Sequence, residues 1–160
     1  MRDISRGEAG FSLIEMAVVL VIFGITLTAT IPAFSRLMQS NSLQDAAKQL
    51  SGHLRLSRQM AVASGVSHIL DWNVADETYL IIRDENENDT PDVGETTTGP
   101  FTLPGRVDLQ DSGVDPFSTS LVVFSRDGSA SESGTVVLSN DRGHSMNLIL
   151  LAPTGQVRLD

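Results

Sequence analysis

Two stretches of this chain hold residues whose types and spacing could do chemistry. The first is Gly10-Phe11-Ser12-Leu13-Ile14-Glu15, which sets one carboxylate at the mouth of an apolar run. From Phe11 to Phe34, Glu15 is the only charged residue. A carboxylate near the end of a membrane helix costs roughly 2 to 3 kcal/mol or less, depending on depth, and it needs a partner. Cleavage after Gly10 would create one, because it exposes an amine on Phe11. An amine and a carboxylate four residues apart can pair between neighbouring copies as their helices stack. The alternative is that Glu15 snorkels to the interface.

The second stretch is DENENDTPDVGE, Asp84 to Glu95. Oxygen-bearing side chains stand at Asp84, Asn86, Asn88, Asp92 and Glu95, which are positions one, three, five, nine and twelve of a calcium loop. Thr90, at seven, would offer its backbone carbonyl. Asp89 occupies position six, where a Gly normally permits the sharp turn, and Asp tolerates the positive φ needed there better than most residues. Two of the ligands are Asn, and the flanking segments read as strands. The loop is therefore either a calcium site or a solvated acidic hairpin loop.

Neither stretch builds a catalytic site. His53, His68 and His144 stand apart, without a second ligand at metal spacing. No G-x-S-x-G, G-x-x-x-x-G-K-[ST] or G-x-G-x-x-G is present. With no cysteine, disulfides, thiolate metal sites and a Cys nucleophile are excluded. The formal charge of -9 repels phosphate backbones, which argues against nucleic acid as a partner. No catalytic residue is assigned, and the chain reads as a non-enzyme.

Three kinds of element must position these residues. The apolar run from Phe11 to Phe34 would form a helix of roughly 36 Å, close to the ~30 Å hydrocarbon core of a bilayer. It reads as a single membrane-inserted helix, residues 11–34, preceded by a cleavable leader, residues 1–10. A secretory signal fits poorly, because the small pair Ala9-Gly10 lies before the run and no small-residue cleavage site follows it. Gly24 and Pro32 weaken the helix between them and predict a kink or local melting. Residues 35–65 continue as an amphipathic helix, with Leu43, Ala46, Ala47, Leu50, Leu54 and Ala61 at three- and four-residue steps. Lys48, Arg55 and Arg58 fall on its other faces, either as a solvated surface or to meet acidic neighbours, and Gly65 stops it.

From residue 66 to 160 the period becomes two. Strands are predicted over His68–Val74, Thr78–Arg83, Phe101–Leu109, Ser120–Phe124, Thr135–Ser139, Met146–Leu151 and Gln156–Leu159. The turns between them include Ala75-Asp76, Asp127-Gly128, Asn140-Asp141-Arg142-Gly143 and Pro153-Thr154-Gly155. The fold class is α+β: a long N-terminal helix packed on an antiparallel β-sheet or sandwich domain.

The segment Gly10 to Glu15 with its apolar run and Pro32 resembles the type IV prepilin signature, shared by type IV pilins and the pseudopilins of type II secretion. The segment VVFSRDGSASESGTVVLSNDRGHSMNLILLAPTGQVRL resembles the C-terminal part of the GspH/FimT family of minor pseudopilins and minor pilins. The matching features are Phe124, Asp127-Gly128, Gly134 to Leu138, Leu148 to Leu151, Thr154-Gly155 and Val157-Arg158. The resemblance implies that a prepilin peptidase cuts between Gly10 and Phe11 and methylates the Phe11 amine, and that Glu15 assists docking into a filament. It implies other pseudopilins or pilins and an inner-membrane assembly platform as partners, and a β domain in the periplasm of a bacterium. The expected function is a minor pseudopilin of type II secretion, with a minor pilin of a type IV pilus as the alternative.

Overall fold

The computed structural model describes residues 11–104, 107–111 and 116–160, with the side chains of residues 29, 32–40 and 111 excepted. The chain divides into two compact units, Met1–Met38 and Gln39–Asp160. One element, helix α1 (Leu13–Ser64, 52 residues), runs through both. It opens at Ser12, whose carbonyl accepts the N–H groups of Glu15 at 3.0 Å and Met16 at 3.2 Å. Ser12 followed three residues later by Glu15 is the spacing of a capping box, and a carboxylate in the first turn suits the positive end of the helix dipole. The helical pattern continues through Gly24 and Pro32, so the local melting expected there is not found. The helix stops at Gly65, whose N–H reaches the Ala61 carbonyl at 3.0 Å and whose φ is +69°. A side chain at that φ would be strained.

In the second unit α1 lies under two four-stranded antiparallel sheets. The strands are β1 (His68–Asn73), β2 (Thr78–Arg83), β3 (Thr96–Thr102), β4 (Val107–Asp111), β5 (Leu121–Phe124), β6 (Gly134–Asn140), β7 (Ser145–Leu151) and β8 (Gln156–Leu159). One sheet has the order β3-β2-β1-β5 and the other β4-β6-β7-β8. The six apolar residues predicted to form the helix stripe are all buried, none more than 4 % exposed. They join the inner faces of both sheets in one core, with Leu70, Tyr79, Ile81 and Phe124 from the first and Leu109, Val136, Leu138, Leu148 and Leu150 from the second. Strand β6 alternates buried and half-buried along its whole length, as the two-residue period requires.

The expected strand Phe101–Leu109 is corrected. It is two strands in different sheets: β3 ends at Thr102, and β4 begins at Val107. Pro104 between them has no N–H for a ladder, so pairing cannot run through it. Strand β3 also begins five residues earlier than expected, at Thr96 directly after the acidic loop.

One glycine is fixed by close packing. A Cβ on Gly134 would come within 2.7 Å of the Phe117 ring, which stacks edge-on against Trp72 at 5.0 Å. A second is fixed by both space and backbone. Gly155 has φ +57°, and a Cβ there would overlap the Gly128 carbonyl oxygen and crowd the Arg58 side chain.

Candidate functional site

Gly10, half of the expected cleavage pair, lies outside the described residues. Phe11 is 79 % exposed and precedes the helix, and Glu15 is exposed in the first turn. Around them the first unit shows bare apolar surface: Leu13, Ile14, Leu20, Phe23 and Ile25 are each at least 60 % exposed. A contiguous apolar surface of this kind marks a partner-binding or membrane-binding face. The threonine hydroxyls along it are turned onto the helix backbone. Thr26 Oγ1 donates to the carbonyls of Ile22 and Phe23 at 3.0 and 2.9 Å, Thr28 to Gly24 at 2.7 Å and Thr30 to Thr26 at 2.8 Å. Hydroxyls paired in this way can enter an apolar surrounding without an unmet hydrogen bond. Among the described residues no helix is long and apolar enough to cross a membrane.

The bases of the second part of α1 divide by role. Lys48 is exposed. Arg55 Nη2 donates to the Val157 carbonyl at 3.2 Å, and Arg58 Nε to the Gly128 carbonyl at 2.8 Å. Arg58 thus ties the Asp127-Gly128 turn to the helix and packs beside Gly155 of the neighbouring turn. Neither the solvated reading nor the filament-contact reading of Arg58 foresaw this use within the chain.

His53 faces the first sheet. Its Nδ1 lies 2.8 Å from the Tyr79 hydroxyl, and its ring centroid 4.1 Å from that of Phe101. Burial holds the His53 pKa below its usual value and pushes Tyr79 up to about 12. His68 is buried, with Nδ1 2.9 Å from the Val66 carbonyl, and His144 sits in the β6–β7 turn with its N–H on Asn140 Oδ1 at 3.1 Å. The three histidines do not converge.

The acidic loop closes on itself. Asp84, fully buried, accepts the N–H groups of Asn88 at 3.1 Å and Asp89 at 2.9 Å through its two oxygens. Asp92 Oδ2 accepts the side-chain amides of Asn86 at 2.8 Å and Asn88 at 2.7 Å, and these bonds hold its carboxyl below the usual range. Glu95 spans the neck of the loop, with one oxygen on the Glu85 N–H and the other on the Asp92 N–H. Thr90 bonds Asn88 Oδ1. Asp89 has φ +60°, the conformation expected of position six. Among the described residues no group of three or more His, Cys, Asp or Glu is placed to hold a metal ion. The calcium-loop spacing therefore appears in the structure as a network of hydrogen bonds between the would-be ligands.

A long N-terminal helix, apolar and exposed at its start and amphipathic where it underlies an antiparallel two-sheet domain, defines the pilin-like class. Within that class the chain belongs to the family of type II transport protein GspH, whose family model matches residues 46–155. The prokaryotic N-terminal methylation motif matches residues 5–31. The fold is similar to that of the minor pseudopilin EpsH from the type 2 secretion system of Vibrio cholerae, with TM-score 0.55, 14 % identity, and coverage of 74 % of this chain and 96 % of that one. It is similar also to the type IV minor pilin FimU of Pseudomonas aeruginosa, with TM-score 0.57, 14 % identity, and coverage of 78 % of this chain and 92 % of that one. No curated protein matches the chain significantly.

Proposed function

We propose that this chain is a minor pseudopilin, a non-catalytic subunit of a type II secretion pseudopilus. The observation that carries this reading is the pairing of a GspH-family β domain with an N-terminal methylation motif on one chain. In this reading a prepilin peptidase removes residues 1–10 and methylates the Phe11 amine. The subunit waits in the bacterial inner membrane as a single-pass protein, with the apolar helix of residues 11–34 inserted and the β domain in the periplasm. An inner-membrane assembly platform then moves it into a filament of other pseudopilins. Glu15 pairs there with the amine of a neighbouring subunit. The exposed apolar start of α1 and its inward-bonded threonines support insertion, first in lipid and then among neighbouring helices.

Likeness to FimU supports a second reading, a minor pilin of a type IV pilus, because the same N-terminal device would serve both machines. Mass spectrometry of the chain purified from membranes tests what the two share. The expected product begins at monomethylated Phe11, and a product that still begins at Met1 sinks both. Deleting the gene separates them: loss of a secreted enzyme from the medium with pili intact fits the pseudopilin, and the reverse fits the pilin.

A further inference from the structure

Between the last turns of α1 and the outer strand of the first sheet lies an apolar groove with a cavity volume of about 400 Å³. Met60 and Ala63 form its helix wall, Ile81 its floor, and Thr96 and Thr98 its outer lip. Strand β3 is the edge of that sheet, with the order β3-β2-β1-β5, so one side of its backbone has no strand beside it. Natural edges are usually blunted by charge, proline or a bulge. In β3 the register irregularity and Pro100 lie beyond Thr98, whereas Thr96, Thr97 and Thr98 pair in plain register with Arg83, Ile82 and Ile81. This half of the edge is uncharged, β-branched and exposed. Among the described residues, no backbone bond outside the ladder engages these three.

The groove also has a charge. Arg83, on its rim, is exposed and has no ion pair among the described residues. The Glu85 carboxylate is engaged by the Thr96 hydroxyl at 2.9 Å. His68, also in the lining, is buried and bonded to Val66.

We propose that this groove binds an extended peptide segment of a partner protein, which adds as a further strand beside Thr96–Thr98. The segment's chemistry follows from the lining. Alternate residues of an added strand face the groove, so an apolar side chain would enter it over the Thr96–Thr98 lip, toward Met60 and Ala63. A carboxylate two positions away, on the same face, would meet Arg83. The edge backbone supplies affinity, while the cavity and Arg83 supply selectivity. This surface lies wholly in the second unit and does not depend on how the N-terminal segment is processed.

The test uses the full-length chain in detergent and a fluorescein-labelled peptide of sequence Thr-Val-Thr-Leu-Thr-Asp-Thr-Val, with Lys in place of Asp as its control. The expected result is an anisotropy change below ~1 mM peptide, stronger for the Asp peptide, with slowed amide exchange in Thr96–Thr98. Arg83→Gln should weaken the Asp peptide roughly 2- to 5-fold and erase its advantage over the control. Ala63→Trp, a change at an exposed helix position, should fill the groove and abolish binding. No binding up to ~1 mM, binding without protection of β3, or binding unchanged by Ala63→Trp would each overturn the proposal.

Discussion

Arg58 passes between two glycine turns that lie far apart in sequence, and each of the three parts constrains the others. Its Nε holds the Gly128 carbonyl at 2.8 Å, and Gly155 leaves the space through which its side chain runs. Gly155→Ala must strain a positive φ and displace either the Gly128 carbonyl or Arg58. It should cost about 1 to 3 kcal/mol in urea unfolding. Arg58→Ala should cost about 1 to 2 kcal/mol, and the double variant less than the sum, because the two changes damage one contact. His53 gives a pH dependence at the same scale. Its folded pKa lies below the usual 6.5, so the unfolded chain binds more protons near that pH. The stability that neutral His53 contributes is present above the unfolded value and is lost as pH falls through the folded one. The melting temperature should therefore drop as the pH falls below the usual histidine value of 6.5. His53→Gln, which can keep a bond to the Tyr79 hydroxyl, should flatten that drop. An unchanged slope in the variant would place the titrating group elsewhere.

The acidic loop is tied largely by hydrogen bonds among its own residues. Its neck is tied by Glu95 and its base by the buried Asp84, so the bonds that a cation would use are already made. Asp84→Ala should leave the amides of Asn88 and Asp89 without their acceptor, cost about 1 to 3 kcal/mol and speed exchange of both amides. Calorimetric titration with calcium up to ~1 mM should give no heat, the free energy of Asn–Asp rearrangement opposing a weak extracellular-type site; a saturable heat would establish the calcium reading instead. The elements differ in how far the sequence discloses them. The stripe Leu43 to Ala61 was legible because burial against a sheet imposes the helical period on composition. The glycine turns were legible because φ above zero selects the residue. The start of β3 was hidden because Thr96, Thr97 and Thr98 follow a run of acids and lack apolar alternation, although three β-branched residues together were a usable signal. The division between β3 and β4 turns on Leu103-Pro104, and which sheet a strand joins is decided by partners that local spacing does not name. The same holds for Arg58, whose acceptor lies 70 residues away.

At the scale of the molecule, the two units carry different kinds of surface, and the proposed assembly uses the difference. The start of α1 exposes apolar side chains that water does not favour, while the second unit buries most of its large apolar residues in a core shared by helix and sheets. A subunit of this design can exchange lipid for neighbouring helices without refolding its domain, provided Glu15 finds a positive partner when it leaves the bilayer interface. The α-amine of processed Phe11 is that partner in the proposed filament. Glu15→Ala should then reach the membrane, be cut and be methylated as the parent is, yet enter filaments at no more than about a tenth of the parental level, equivalent to losing roughly 1.4 kcal/mol or more of docking energy. Glu15→Asp, which keeps the charge on a shorter arm, should incorporate at an intermediate level. Immunoblots of sheared filament fractions against membrane fractions measure both steps separately. Equal incorporation of Glu15→Ala and the parent would show that the carboxylate serves only the first turn of the helix, where its place three residues after Ser12 would already account for it.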